Sequence, residues 1–165
     1  MNKSDVLLER RVPRDWDGID AIREEVARSV AAGADEDTRE AMGMVAAELL
    51  ENAVKFGTAR PEEIGLTLRL DGPDIELVVE NGVDPGSPDL RSLLDRVAWC
   101  NAFASPEEAY MAALADVYAQ PSARGGLGIV RIVYEGGCRV SCDASRPGLV
   151  SVTARRALVT GGGAS

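Results

Sequence analysis

The chain has 165 residues and a formal net charge of −9, with 45% hydrophobic and 27% charged residues. That length suits one domain with one continuous core, and the composition is that of a globular protein rather than a disordered or fibrous one. The acidic balance argues against duplex nucleic acid as the main partner, because neutralising many phosphates takes a basic surface.

A compact anion stays compatible with a local concentration of cations and backbone amides. The start, MNKSDVLLERRVP, lacks the apolar segment of a signal peptide, and no apolar run approaches the roughly 20 residues of a membrane span. A cytoplasmic protein with no membrane partner is expected. Cys100, Cys138 and Cys142 form an odd set without CxxC pairs, so reduced structural thiols are expected rather than a disulfide framework or a zinc site. Histidine is absent altogether, which removes the usual general base, hydrolase triads and phosphohistidine chemistry within the chain.

In chain order, residues 6–12 (VLLERRV) read as a first strand closed by Pro13. Trp16, Ile19, Ile22, Val26 and Val30 then recur at spacings of three and four, the period of an amphipathic helix that Gly33 stops. A second helix is predicted from about residue 37 through Phe56, with Gly57 as a glycine C-cap. EIGLTLRL and IELVVEN, joined by the turn DGPD, form a hairpin. Two helical patterns follow, residues 90–103 and 106–118, the second opened by Ser105 as N-cap with Glu108 three residues on. After the loop AQPSARGGLG, IVRIVYE starts a final helix, and CRVSC and LVSVTARRAL read as two last strands. Residues 1–158 make a single domain, and 159–165 are expected to be a disordered tail. Strands that arrive in adjacent pairs favour an α+β fold: a two-layer α/β sandwich whose mixed, mainly antiparallel sheet has helices on one face.

Within the second helix, Met42, Val45, Ala46, Leu49, Leu50, Ala53 and Phe56 share one stripe at 100° per residue, the core face. Glu48, Asn52 and Lys55, at i, i+4 and i+7, make a second stripe bordering it on the side of Val45 and Phe56. A helix placed so can wall a pocket. It can equally be a solvated edge, with a Glu48 to Asn52 hydrogen bond and a Glu51 to Lys55 ion pair each worth about 0.2 to 0.5 kcal/mol. Asparagine is a poor helix former best suited to caps, so Asn52 in mid-helix hints at a specific job.

In SARGGLGIVRIVYEGG, Gly125, Gly126 and Gly128 precede an apolar helical run. Backbone amides there can converge on an anion at a helix N-terminus. The stretch is neither a P-loop nor a dinucleotide fingerprint, since GK[ST] and GxGxxG are both missing. A mobile glycine linker is the alternative. Lys55 and Arg124 can add positive charge beside such an anion.

These two stretches, in this order and separated by a hairpin and a helical insertion, resemble those of the GHKL ATPases, the family of gyrase, histidine kinases and mismatch-repair proteins. The resemblance implies the Bergerat ATPase fold, with ATP and Mg2+ as cofactors. ELLENAVKF is similar to the family's N box, with Glu48 at the position of the catalytic glutamate and Asn52 at that of the magnesium-binding asparagine. Gly126, Leu127 and Gly128 resemble the G2 box that wraps the triphosphate; Arg124 falls where its first glycine belongs. The G1 box normally reads DxGxG, its aspartate recognising adenine. Here Glu80, Asn81 and Gly82 are followed by Val83 and Asp84, so Glu80 or Asn81 would have to accept the adenine amine, or the box is degenerate.

Size, and the lack of a histidine-bearing dimerisation helix, point within the superfamily to anti-sigma-factor serine/threonine kinases and, through GLGIVRIVYE and DLRSLLDRV, to SiaB-type kinases. The resemblance thereby implies phosphorylation of a small STAS-type (anti-anti-sigma-like) partner and a possible homodimer. Asn52 would carry magnesium, and Glu48 would activate the attacking hydroxyl. Lys55 and the amides of Gly125 to Gly128 would neutralise charge at the transferred group. The alternative is a pseudokinase-like module that sequesters its partner without turnover, which the altered G1 box favours. A free-standing ATPase is a third possibility, disfavoured because no second domain would couple to hydrolysis.

Overall fold

A computed structural model describes residues 5–30, 33–57, 63–119 and 127–158, with Leu127 described by its backbone alone. The elements run β1 (Asp5–Pro13), a 3-10 turn (Trp16–Gly18), α1 (Ile19–Ser29), α2 (Glu36–Phe56), β2 (Glu63–Asp71) and β3 (Asp74–Gly82). Then come α3 (Pro88–Asn101), α4 (Pro106–Ala119), α5 (Leu127–Tyr134), β4 (Arg139–Asp143) and β5 (Leu149–Ala157). Five strands form one sheet in the order β1-β2-β3-β5-β4.

Every neighbouring pair is antiparallel, which corrects the expectation of a mixed sheet among the described residues. The reason lies in the connections. Pro13 pairs with Glu63, so the chain leaves the sheet, makes α1 and α2, and re-enters at the end it left. β2 and β3 are joined by Gly72 and Pro73, with Asp71 opposite Asp74; Gly72 has φ +59°, a conformation side chains resist. β4 and β5 form a second hairpin. The helical excursion between the hairpins leaves β5 as the strand beside β3.

Alternation along the strands gives the sheet one apolar face. Ile64, Leu66 and Leu68 on β2, Ile75, Leu77 and Val79 on β3, and Val150, Val152 and Ala154 on β5 are all buried. The helices cover this face, and α2 contributes Met42, Val45, Ala46, Leu49, Leu50 and Ala53 to the same core. Burying each larger side chain stabilises the fold by about 1.5–3 kcal/mol. The other face is polar and stitched by ion pairs, among them Arg69 Nε to Glu76 Oε2 at 2.5 Å and Arg155 Nε to Asp74 Oδ2 at 2.7 Å.

Local signals account for the helix starts. Asp35 caps α2 by accepting from the Thr38 N–H at 2.8 Å, Ser87 caps α3 ahead of Pro88, and Ser105 Oγ accepts from the Glu108 N–H at 3.2 Å. Two apolar assignments are corrected. Trp16 sits in the 3-10 turn rather than in α1 and is exposed, and Phe56 is 39% exposed rather than part of the core.

Candidate functional site

A cavity of about 360 Å3 opens between α2, α3, the start of α5 and the sheet; ligand sites commonly measure about 300–1,000 Å3. Val79, Val150 and Val152 supply an apolar floor. Asn52, Lys55 and Phe56 reach it from α2, Asn81 from β3, and Gly128 from α5. Three polar residues of α3, Asp89, Ser92 and Arg96, complete the rim.

Asn52, Lys55 and Phe56 share a helix face because they lie at i, i+3 and i+4, so the cavity wall follows directly from the periodicity of α2. Lys55 Nζ lies 5.0 Å from the centroid of the Phe56 ring, where the ring's negative face attracts an ammonium group. Neither a Glu51 to Lys55 ion pair nor a Glu48 to Asn52 hydrogen bond forms among the described residues. Glu48 instead receives Arg131 Nη1 from α5 at 2.5 Å, and Arg131 Nε also reaches Glu135 at 3.1 Å.

Glu48 is not part of the cavity lining, but it is near. A Cβ added to Gly128 would lie 3.2 Å from Glu48 Oε2 and 3.5 Å from Asn52 Nδ2. The start of α5 therefore packs directly on these two side chains, and glycine there leaves them room. Burial raises the Glu48 carboxyl pKa; Arg131 and Arg23 pull it down, and Glu51 and Glu135 push it up. Burial is the largest of these effects.

The neighbours Glu80 and Asn81 point to opposite faces of the sheet, as the two-residue period of a strand requires. Glu80 lies on the outer face, where it pairs with Arg146 and accepts from Ser151 Oγ at 3.4 Å. It is absent from the cavity. Asn81 is buried and lines the cavity. Its Oδ1 accepts from Arg14 Nη2 at 2.7 Å, and its Nδ2 donates to the Ala53 carbonyl at 3.1 Å. Arg14 Nη1 reaches the same carbonyl at 2.7 Å. Gly82 ends β3, paired with Leu149, and does not line the cavity.

Gly57 follows α2 as expected, for a different reason than the one expected. Its φ of −81° and ψ of 167° are extended backbone open to any residue. Space is what demands glycine: a Cβ would collide with Arg14 Nη1 and Asn81 Nδ2 and lie 2.5 Å from the Ala53 carbonyl oxygen. Arg124, Gly125 and Gly126 lie outside the described residues, as does the side chain of Leu127.

Five polar contributors are not singled out by the motifs: Arg14, Asp89, Ser92, Arg96 and Arg131, although DLRSLLDRV and GLGIVRIVYE contain four of them. Arg131 had a faint signal as the lone charge in the apolar run IVRIVY. Arg96 lies 4.3 Å from the Trp99 ring centroid, a cation–π contact three residues along one helix. Arg14 follows β1 and carries no local sign of its partner. Among the described residues no cluster of three or more His, Cys, Asp or Glu side chains could hold a metal ion, and no helix is long and apolar enough to cross a membrane. No protein-family model matches the chain, and no curated protein matches it either.

Proposed function

We propose that the chain is an ATP-binding regulatory protein of the GHKL type, its two-layer fold of the Bergerat form, which phosphorylates a serine or threonine on a small STAS-type partner. The observation that carries this reading is the convergence of Asn52, Lys55, Asn81 and Gly128 on a cavity of about 360 Å3 with an apolar floor. An apolar slot suits a purine ring, and Lys55 and the start of α5 suit phosphates. A cytoplasmic location and a homodimer belong to the same proposal.

Asn52 offers one neutral oxygen, which fits magnesium held mostly by phosphate oxygens and water rather than by a cage of carboxylates. Held there, the ion would supply charge neutralisation at the transferred phosphoryl group. Glu48 would orient or deprotonate the partner's hydroxyl, and Lys55 would offset negative charge. Isothermal titration with Mg-ADP and Mg-ATP tests the binding, and transfer from γ-labelled ATP to STAS-domain proteins tests the reaction. Absence of heat and of any thermal shift with either nucleotide would refute the reading.

A second reading is a pseudokinase-like module that sequesters its partner without turnover. It is favoured by the engagement of Glu48 with Arg131 and by the placement of Glu80 on the far face of the sheet. Nucleotide binding without transfer to any partner, together with stable partner capture, would select it.

A further inference from the structure

The two oxygens of the Glu48 carboxylate meet different neighbours, and both neighbours come from one face of α5. Oε1 accepts from Arg131 Nη1 at 2.5 Å. Oε2 lies on the side of Gly128, 3.2 Å from where a Cβ on that residue would stand, and the Asn52 amide nitrogen lies 3.5 Å from the same point. Gly128 and Arg131 are three positions apart and so share a face of the helix. That face gives one carboxylate oxygen room and, a turn later, takes hold of the other. Arg131 is itself aimed: its Nε donates to Glu135 Oε2 at 3.1 Å, and the planar guanidinium then has a set direction in which to extend Nη1. A glutamate side chain is rich in rotamers and costly to fix. The Arg131 contact fixes this one before any acceptor arrives.

We propose that Arg131 is a positioning residue: braced by Glu135, it takes Glu48 Oε1 and thereby presents Oε2 toward Asn52 and Gly128 on the cavity wall, where the acceptor hydroxyl is activated. The proposal rests on the nucleotide reading above and adds the group that sets the geometry of its base. In the step so served, the acceptor oxygen forms a bond to the γ-phosphorus. The bond from that phosphorus to the β,γ-bridging oxygen breaks, its electron pair leaving on ADP, and the hydroxyl proton passes to Oε2. A general base has to stand about 2.6–3.2 Å from the oxygen whose proton it takes, so a carboxylate free to swing would miss that position for much of the time. Arg131 does not line the cavity, so it acts through Glu48. The pair is only partly shielded and adds little to stability; replacing Arg131 therefore disturbs the carboxylate more than the fold.

The test is turnover of γ-labelled Mg-ATP by the full chain, with water and with STAS-domain proteins as acceptors, beside titration with Mg-ADP. It compares the wild type with Arg131→Ala, Arg131→Lys and Glu135→Ala. Arg131→Ala should lower kcat by about 10- to 100-fold, the scale of misplacing a reacting group by an ångström, and leave Mg-ADP affinity unchanged. Two rescues follow that a structural role would not give. Arg131→Lys still donates from a cation and should recover part of the lost rate. Guanidinium chloride at about 50 mM, where its denaturing effect is small, should restore rate to Arg131→Ala but not to Glu48→Ala. Glu135→Ala removes the brace and should lower kcat by roughly threefold at unchanged affinity; it carries the test if Arg131→Ala does not fold, and an unchanged kcat there would overturn the proposal. An Arg131→Ala protein that loses turnover and affinity in parallel, with no rescue by guanidinium, would show a merely structural role and overturn it. Unchanged or faster turnover by Arg131→Ala would also overturn it, faster turnover meaning that the contact withholds the carboxylate. A wild type that binds Mg-ADP but turns over ATP with neither acceptor would overturn it while leaving nucleotide binding standing. A wild type that binds no nucleotide would remove both.

Discussion

Arg131 of α5 and Glu48 of α2 meet at 2.5 Å, 83 positions apart in the chain. The helix that begins at the glycine loop is thereby fastened to the carboxylate one turn before Asn52. The pair is only partly shielded, with side-chain exposures of 41% for Arg131 and 15% for Glu48. Its effect on stability is accordingly modest, and its main consequence is where it holds the carboxylate.

The first prediction concerns pH. Burial outweighs Arg131 and leaves the Glu48 pKa raised, so the folded state holds this proton more tightly than the unfolded state does. The contribution of Glu48 to stability is therefore complete below the ordinary glutamate pKa and is lost as pH rises through the raised folded value. In urea melts from about pH 4 to about pH 8, the wild type should lose stability relative to Glu48→Gln as pH rises. A relative stability that grows with pH would mean that Arg131 outweighs burial. Arg131→Gln should steepen the loss, because it removes the stronger of the two cations acting on Glu48.

A second prediction separates the roles on α2. Lys55→Ala should weaken Mg-ADP binding by about tenfold, the scale of a charge-assisted hydrogen bond, and weaken metal-free ADP similarly. Asn52→Ala should lose only the magnesium-dependent part of the affinity. Glu48→Ala should keep nucleotide binding and abolish transfer. Full transfer by Glu48→Ala would sink the assignment of Glu48 as the catalytic group.

The thiols give a third. Burial pushes Cys138 up to about 12 and Cys142 up to about 11, and it raises Cys100 as well. Thiolate is the reactive form, so all three should react slowly with a thiol reagent at neutral pH in the folded protein and rapidly in denaturant. Rapid labelling of Cys138 before unfolding would contradict its burial.

A fourth tests the packing of α5 against α2. A Cβ on Gly136 would collide with the Ile132 carbonyl and lie 2.9 Å from Val45 Cγ2. Gly136→Ala should therefore cost about 1–3 kcal/mol, as overpacking does. Gly86, with nothing within 4 Å of an added Cβ and no positive φ, serves as control; Gly86→Ala should change stability by no more than about 0.5 kcal/mol. Equal effects in denaturant melts would refute the packing.

Much of the layout was legible in the sequence. The 3.6-residue period of α2 is expressed within the helix itself, so its buried stripe and the cavity-facing set of Asn52 and Lys55 could be read together. The DGPD turn and the Ser105 cap are likewise short-range chemistry, complete within four residues. The parity of β3 lies in the sequence as well, since Leu77, Val79 and Asn81 fall on one face and Glu76, Val78 and Glu80 on the other, so Glu80 and Asn81 cannot serve one role from the same side. No local rule could supply the junctions. Arg14 meets Asn81 across 67 positions and Arg131 meets Glu48 across 83, and hydrogen bonds of that span form only once helices and strands have packed. The sequence by itself determined which elements form and which faces they bury, because those signals act within a turn or two. The tertiary structure alone decided which cation meets which polar group at the cavity, because partners so distant in the chain are chosen by packing and not by spacing.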